Sequence, residues 1–428
     1  MSFTAFYKLG LHREAPRVWI ESGSLERLGF APGTSLDVRP EINRVVVTRA
    51  AVATGNSVSS RRACNARRPI IDLNSSTLLA PLAAYEEIKV RATDNQLVIA
   101  PSVRAFAIRR GKNLTPPFRV LEVFAGGGTL TRAIHDNPLF ETVAGVEIEP
   151  AYADIWHRAN PAAELYLADV RTIHPSEYPA FDVLVGGIPC TCHSLMGRTK
   201  NKLSETPELG DEGDLFIPTL NLVASRLPSV CIFENVPTFG NSLAGQTIVG
   251  NLTKLGYSVS TYQLQPNEDW NEISDRKRWL CVATLKPSFS LQIPGTPFTG
   301  RAADFLDDPH DVFDAADATR IAGAIAGLGR HHDRHKAEGN GFFRSMTTLN
   351  GDEQSIGTIV KSYHKINVGP FVETKYGLRQ LRQPEIERIM GSEVATDHYA
   401  TAVQVLGQGV QTRIFREVFR QIGEFLTP

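Results

Sequence analysis

From Phe118 onward the sequence alternates short apolar runs with helix-like stretches, and each apolar run meets a glycine or an acid at its end. The runs are Phe118 to Phe124, Val143 to Glu147, Leu165 to Val170, Phe181 to Val185 and Ser229 to Phe233. Leu130 to His135, Tyr152 to Arg158 and Leu215 to Arg226 read as the helices between them. Near-continuous apolar runs are strands buried on both faces, and strands alternating with helices predict a doubly wound parallel sheet. Such sheets bind ligands at the carboxyl ends of their strands. The chemistry-bearing residues fall there.

Glu122-Val-Phe-Ala-Gly-Gly-Gly-Thr129 follows the first strand and opens a helix. Gly126 and Gly128 let the backbone approach a nucleotide-like ligand, but Thr131 stands where a dinucleotide fingerprint has its third glycine. Glu147, at the end of the second strand, is placed to take a ribose diol, and Asp169 an adenine amino group. Together they predict an adenosine cofactor such as S-adenosylmethionine. Gly186-Gly-Ile-Pro-Cys-Thr-Cys-His-Ser194 is a tight turn that presents Cys190 at the top of the sheet. A nucleophilic thiol there, with an ordinary pKa of about 8.5, needs nearby cations to favour the thiolate. Glu234, in Phe233-Glu-Asn-Val-Pro237, sets a carboxyl group at another strand end. Arg276 and Arg278 are two apart and share one face of an extended segment, which suits a phosphate and a base carbonyl.

With these residues in place, the chain from Phe118 to its C-terminus resembles the cytosine-C5 DNA methyltransferase family, in the family's motif order. The resemblance implies a Rossmann-like methyltransferase domain and S-adenosyl-L-methionine as cofactor. The cofactor would be held by Phe124, Ala125, Gly126, Gly127, Gly128 and Thr129, by Glu147 with Ile148, by Asp169 with Val170, and by Pro189, Leu215, Gln408 and Val410. It makes Cys190, Glu234, Arg276 and Arg278 the catalytic set. Cys190 would add to cytosine C6, Glu234 donate to N3, Arg278 hold O2, and Arg276 meet a phosphate or the nearby loop. Ser194, Thr358 and Ile359 are the implied DNA contacts, with the clusters at Gly341, Tyr363 and Gly369. Departures are Glu122 for Asp, Ile188 for Pro, Thr191 for Gln, Ser274 for Gln and Gln408 for Asn. None removes a group that does covalent chemistry. The target base would be flipped out of duplex DNA.

The expected domains are 1–115, a β-rich two-repeat module; 116–285, the catalytic domain; 286–375, a small irregular target-recognition domain; and 376–428, C-terminal helices returning to the catalytic domain. The two repeats run from Pro16 through Leu36 to Thr48 and from Pro69 through Ile88 to Ile99, with Gly55 to Arg68 as a basic linker. They resemble the swapped-hairpin barrels of AbrB-type regulators. That implies DNA binding through phosphates or a homodimer contact.

Composition is neutral on nucleic acid, since 45 Lys and Arg face 46 Asp and Glu. Five cysteines, an odd number over 428 residues, point to a reducing cytoplasm rather than a disulfide framework. No apolar run predicts a membrane span, and the first residues do not read as a secretory signal. A zinc deaminase is disfavoured because His12-Arg-Glu14 lies far from Pro189-Cys-Thr-Cys192, whose spacing is also wrong, so no metal is expected. Two other readings stay open: an RNA cytosine methyltransferase, and a DNA-binding regulator with an inactive methyltransferase body. A restriction-endonuclease partner is compatible with all of this and required by none of it.

Overall fold

The computed structural model describes residues 2–63, 66–189, 212–285, 288–307, 315–337, 347–366, 368–375 and 377–427. The chain divides into two compact units, Met1–Asn113 and Leu114–Pro428.

Among its described residues the first unit has nine strands: β1 (Phe3–Lys8), β2 (Gly10–His12), β3 (Ala15–Glu21), β4 (Leu36–Glu41), β5 (Arg44–Arg49), β6 (Ser59–Ala63), β7 (Ala66–Asn74), β8 (Glu87–Thr93) and β9 (Gln96–Pro101). They form a five-stranded sheet, β1-β8-β9-β5-β4, and a four-stranded sheet, β2-β3-β7-β6. The two repeats pair with each other, β3 with β7 from Arg17 opposite Asn74 to Glu21 opposite Ile70, and β5 with β9. One core therefore takes Val18, Ile20, Val45 and Val47 from the first copy and Ile71, Leu73, Val90 and Ile99 from the second. Asn43 (φ 56°) and Asn95 (φ 62°) occupy the left-handed region at equivalent turns, where asparagine is better tolerated than a branched residue. The expected linker is corrected: Ser59–Ala63 is strand β6, paired along β7. Its residues, Ser-Ser-Arg-Arg-Ala, show no apolar alternation, and the partner strand rather than local pattern sets their conformation.

The second unit is built on β10 (Phe118–Val123), β11 (Phe140–Glu147), β12 (Glu164–Leu167), β13 (Val183–Gly187), β14 (Val230–Asn235), β15 (Ser258–Leu264) and β16 (Arg278–Thr284). Their order is β12-β11-β10-β13-β14-β16-β15. The first five run parallel, and β16 lies antiparallel between β14 and β15. The chain leaves β10 in one direction for β11 and β12, then restarts at β13 on the other side. The crevice at a doubly wound sheet's switch point is thus between the carboxyl ends of β10 and β13. Beneath it, Phe118, Val120, Val183, Val185, Val230 and Ile232 pack with Ile414, Phe415, Val418 and Phe419 of the C-terminal helix Thr412–Leu426.

Three details differ from expectation. The third strand stops at Leu167, and Val170 begins a single helical turn capped by the Asp169 carboxylate. The stretch read as irregular contains a 23-residue helix, Ala315–Ala337, whose Gly323, Gly327 and Gly329 lower its helix propensity. Beyond it lies a small sheet of β17 (Thr348–Leu349), β18 (Phe371–Thr374) and β19 (Gly377–Gln380). Ala302, Ile356, Ile359, Tyr363 and Val372 from this stretch share a core with Ile386, Val403 and Leu406, and Phe289 and Leu291 join the core under the main sheet, so much of the stretch is packed into the unit. No described helix is long and apolar enough to cross a membrane.

Candidate active site

β13 ends at Gly187, and Ile188 and Pro189 lead directly to Cys190 in the chain. Cys190, Cys192 and Ser194 lie outside the described residues. On the neighbouring strand β14, Gly187 pairs with Glu234. Glu234 is only 7% exposed, and its Oε1 lies 2.6 Å from Nε of Arg278 at the start of β16. Burial pushes the Glu234 carboxyl above its ordinary range, with Arg278 and Arg276 opposing that shift. The site therefore holds an acid whose proton is easier to keep than in water, fixed by a cation that will take the negative charge when the proton leaves.

Asn235, next on β14, was not singled out from the sequence as a working residue. Its amide Nδ2 donates to the Ile188 carbonyl at 3.0 Å, and its Oδ1 accepts from the Val236 N–H at 2.8 Å. It ties the strand that carries Glu234 to the turn that leads to Cys190. Two consecutive residues thus differ in partner, Glu234 meeting Arg278 and Asn235 bracing the turn. The buried amide's cost of desolvation is met by those bonds.

The glycine turn after β10 lies across the switch point. Phe124 (φ 57°), Gly126 (φ 53°) and Gly128 (φ 80°) all take left-handed backbone, which folds the chain tightly enough for Ala125 N–H to reach the Val146 carbonyl. A Cβ on Gly127 would stand 2.2 Å from Val405, and one on Gly128 2.9 Å from Trp156. On the side of Gly126 the nearest atom to such a Cβ is Gln408 Nε2 at 3.5 Å. Glu147 accepts from the N–H of Gly126 at 2.7 Å, Ile148 at 2.9 Å and Glu149 at 2.8 Å. A carboxylate offers about four lone-pair sites. Three are used, so a further donor such as a ribose hydroxyl has somewhere to bind. Ile148 is 63% exposed beside it, an apolar surface of the kind an adenine ring covers. Val170, in the turn after β12, and Leu215, which caps the helix Phe216–Arg226, are both buried. Gln408 and Val410 are drawn in by the last motif, where Val410 N–H donates to Thr129 Oγ1 at 3.2 Å. These residues fit an adenosine group.

Asp169 is less available than its position promised. Its carboxylate is bound by the Arg171 guanidinium at 2.7 Å, which holds it below the usual carboxylate range. Arg171 also reaches Asp214 at 3.4 Å.

Other sequence assignments are corrected. Of the two roles expected for Arg276, a phosphate contact or a hold on the nearby loop, its contacts match the second. It is 2% exposed and donates to the carbonyls of Gly409 at 2.9 Å, Gly407 at 3.0 Å and Ile359 at 3.1 Å. Arg276 and Arg278 were expected to share one face of an extended segment, but Arg276 lies before β16 and clamps the last motif while Arg278 meets Glu234. Ile359 is not a DNA contact either: its side chain is 1% exposed, inside the core. Tyr363 is fully buried, with its hydroxyl donating to the Pro370 carbonyl at 2.7 Å. Thr358 donates its hydroxyl to the Asp275 carbonyl at 3.1 Å, and Gly341 lies outside the described residues.

Beneath the glycine turn, Glu122 is 1% exposed, and its Oε2 accepts from Thr131 Oγ1 at 2.9 Å and Trp156 Nε1 at 2.6 Å. Trp156 in turn fills the space that a side chain at Gly145 would need. The longer acid at position 122 is thus matched by an indole partner on the helix Pro150–Ala159.

Known proteins agree with this architecture. The model of the C-5 cytosine-specific DNA methylase family matches residues 118–424. Type II methyltransferase M1.ScrFI of Lactococcus lactis subsp. cremoris is 26% identical over 305 residues, covering 68% of this chain and 72% of that protein. Type II methyltransferase M.Bsp6I of a Bacillus species is 32% identical over 197 residues, covering 44% of this chain. A DNA-cytosine methyltransferase of Escherichia coli is 25% identical over 297 residues, covering 58%. The matches span less than two thirds of the last two relatives, 60% of each. In fold, the crystal structure of S. pombe Dnmt2 methyltransferase superposes with a TM-score of 0.58 at 18% identity, over 73% of this chain and all of that one. The family model spans the glycine turn, the Pro189-Cys190 turn, the Glu234–Arg278 pair and the last motif, and this chain belongs to the C-5 cytosine-specific DNA methylase family.

Proposed function

We propose that the protein transfers a methyl group from S-adenosylmethionine to C5 of a cytosine flipped out of duplex DNA. The observation that carries this reading is the buried Glu234 held 2.6 Å from Arg278, on the strand braced through Asn235 to the turn before Cys190. The Gly126 to Gly128 turn, Glu147, Ile148 and Gln408 would hold the cofactor, which supplies an electrophilic methyl group. The Cys190 thiolate adds to C6 of the base, forming an S–C6 bond and pushing electron density toward C5. Glu234 donates its proton to N3 as that charge develops, and Arg278 compensates the carboxylate that remains. Arg278 uses Nε on Glu234 and one terminal nitrogen on the Lys277 carbonyl at 2.7 Å, and its remaining N–H groups suit the base O2. Once C5 carries the methyl group, its proton passes to solvent, the S–C6 bond breaks to release Cys190 as the thiolate, and N3 returns its proton to the Glu234 carboxylate. Arg276 acts on none of these atoms; it positions the Gly407 to Gly409 segment against the cofactor turn. Reading of the flanking bases belongs to the exposed parts of 286–375, not to the buried Ile359 and Tyr363.

The test is to incubate the protein with methyl-labelled S-adenosylmethionine and duplex DNA, then sequence the product for 5-methylcytosine. Label at a reproducible set of cytosines is expected. Label only in RNA, or bound cofactor with no transfer to either nucleic acid, would overturn the reading.

A further inference from the structure

The two hairpins of the four-stranded sheet are equivalent up to a point and then diverge. In the first, Leu11 pairs with Pro16, and residues 12–15 close the hairpin. In the second, Ser60 pairs with Pro69, and residues 61–68 lie between them. The extra length adds the pairs Arg61 opposite Arg68 and Arg62 opposite Arg67. It adds nothing to the core, whose contributors from this sheet are Val18, Ile20, Ile71 and Leu73. β3 pairs with β7 only from Ile70 to Asn74, so Arg67 and Arg68 stand beyond its last rung and the ribbon there is two strands wide.

Like charges directly opposite on paired strands are destabilising, with Cβ atoms about 5 Å apart. Elsewhere this sheet avoids that arrangement. Arg17 lies 2.8 Å from Asp72. Within the ribbon, Arg61 has Glu21 beside it at 2.9 Å. Arg62, Arg67 and Arg68 are exposed and make no salt bridge with a described carboxylate. Two facing arginine pairs in consecutive rungs place guanidiniums on both faces of a narrow ribbon. A ribbon of two strands fits the major groove of duplex DNA, which is about 12 Å wide and walled by phosphates on both sides. Arginine recognises those oxygens through its planar fork.

We propose that the β6–β7 ribbon is a second duplex-DNA site, inserted in a groove with Arg68 against one phosphate wall and Arg62 and Arg67 against the other. The contact is sequence-independent and holds DNA in addition to the methylation site. The proposal rests on duplex DNA being the substrate.

The experiment uses the full chain and a fluorescent duplex of about 30 base pairs, with affinity measured across a salt series. Arg62→Ala/Arg67→Ala/Arg68→Ala should lower the log–log salt slope by about one unit for each arginine removed and weaken binding about tenfold or more at moderate salt. The corresponding triple lysine variant should keep most of the slope, since it keeps the charge. The set of methylated cytosines should match the parent's. An alanine variant with the parent's slope and affinity overturns the proposal, as does a loss seen on phosphatidylserine vesicles or single-stranded RNA and not on the duplex. Methyl transfer by the parent is scored separately. Transfer to DNA with an unaltered slope sinks the ribbon alone; an altered slope without any transfer sinks the catalytic reading alone.

Discussion

In the Leu114–Pro428 unit the charged groups sit inside, Glu234 against Arg278 and Arg276 against three carbonyls, while in the Met1–Asn113 unit Arg62, Arg67 and Arg68 stand exposed along a projecting ribbon. A buried charge is fixed in place by the cost of leaving it unpaired, so it can orient a neighbour to a fraction of an ångström. An exposed charge has no such constraint and acts through attraction that salt screens. The difference implies different kinds of failure. Changes in the first setting should alter chemistry or folding, and changes in the second only salt-dependent affinity.

The largest effect should come from Cys190, the proposed nucleophile. Cys190→Ser should reduce methyl transfer by on the order of 10⁴-fold or more, because a hydroxyl is a far weaker nucleophile at neutral pH. Cofactor binding, followed by calorimetry, should stay near the parent's. Substantial turnover by this variant would remove the covalent step from the mechanism. Next comes Glu234→Gln. It should lower the single-turnover rate by about 10²- to 10³-fold with a much smaller change in DNA affinity, since the lost proton transfer matters only as charge develops. A drop in affinity at an unaltered rate would place Glu234 with the ribbon arginines instead.

The sequence told these two settings apart only in part. Strand-end residues were legible because each sits on an apolar run closed by glycine, acid or proline, and that pattern dictates both strand and turn. Glu147 and Glu234 stand at the strand ends where it put them. For Arg276 the sequence left a phosphate and the nearby loop both open, because a period-two pattern gives a side chain's face, not its burial; what covers it arrives from Gly407 to Gly409, over 130 residues later. Ile359 failed for the same reason, its partners being long-range. The ribbon was read as a linker because arginine and serine carry no apolar signal, and only pairing with β7 makes Ser59–Ala63 a strand.

Arg276 gives an intermediate effect that separates burial from charge. Arg276→Met would leave the carbonyls of Ile359, Gly407 and Gly409 without their donor in a dry interior. That should cost about 3 kcal/mol or more, visible as a lower urea midpoint at an unchanged slope. Affinity for the cofactor should fall as the last motif loosens from Thr129. A variant of parental stability that lost only salt-dependent DNA binding would return Arg276 to a phosphate-contacting role.

The smallest effect concerns Glu122, a buried acid that has Thr131 and Trp156 as partners and no guanidinium within hydrogen-bonding reach among the described residues. Burial pushes its pKa up from 4.5 to about 7, the two donors oppose that rise, and the nearby Glu147 adds to it. The folded state therefore holds this proton more tightly than the unfolded chain does. Below about pH 4.5 both states are protonated and nothing is lost. As pH rises to about 7 the unfolded chain ionises first, so this group's contribution to stability declines by on the order of 3 kcal/mol and then levels off. A glutamine side chain in its place would keep an oxygen to accept from Thr131 and Trp156 without any proton to lose. Glu122→Gln should accordingly flatten the stability profile between pH 5 and 8 and leave the variant more stable than the parent at pH 8. Urea titrations at several pH values measure this directly. Parallel profiles for parent and variant would mean that Glu122 ionises as easily inside the fold as outside it, and that the burial argument fails where it should hold best.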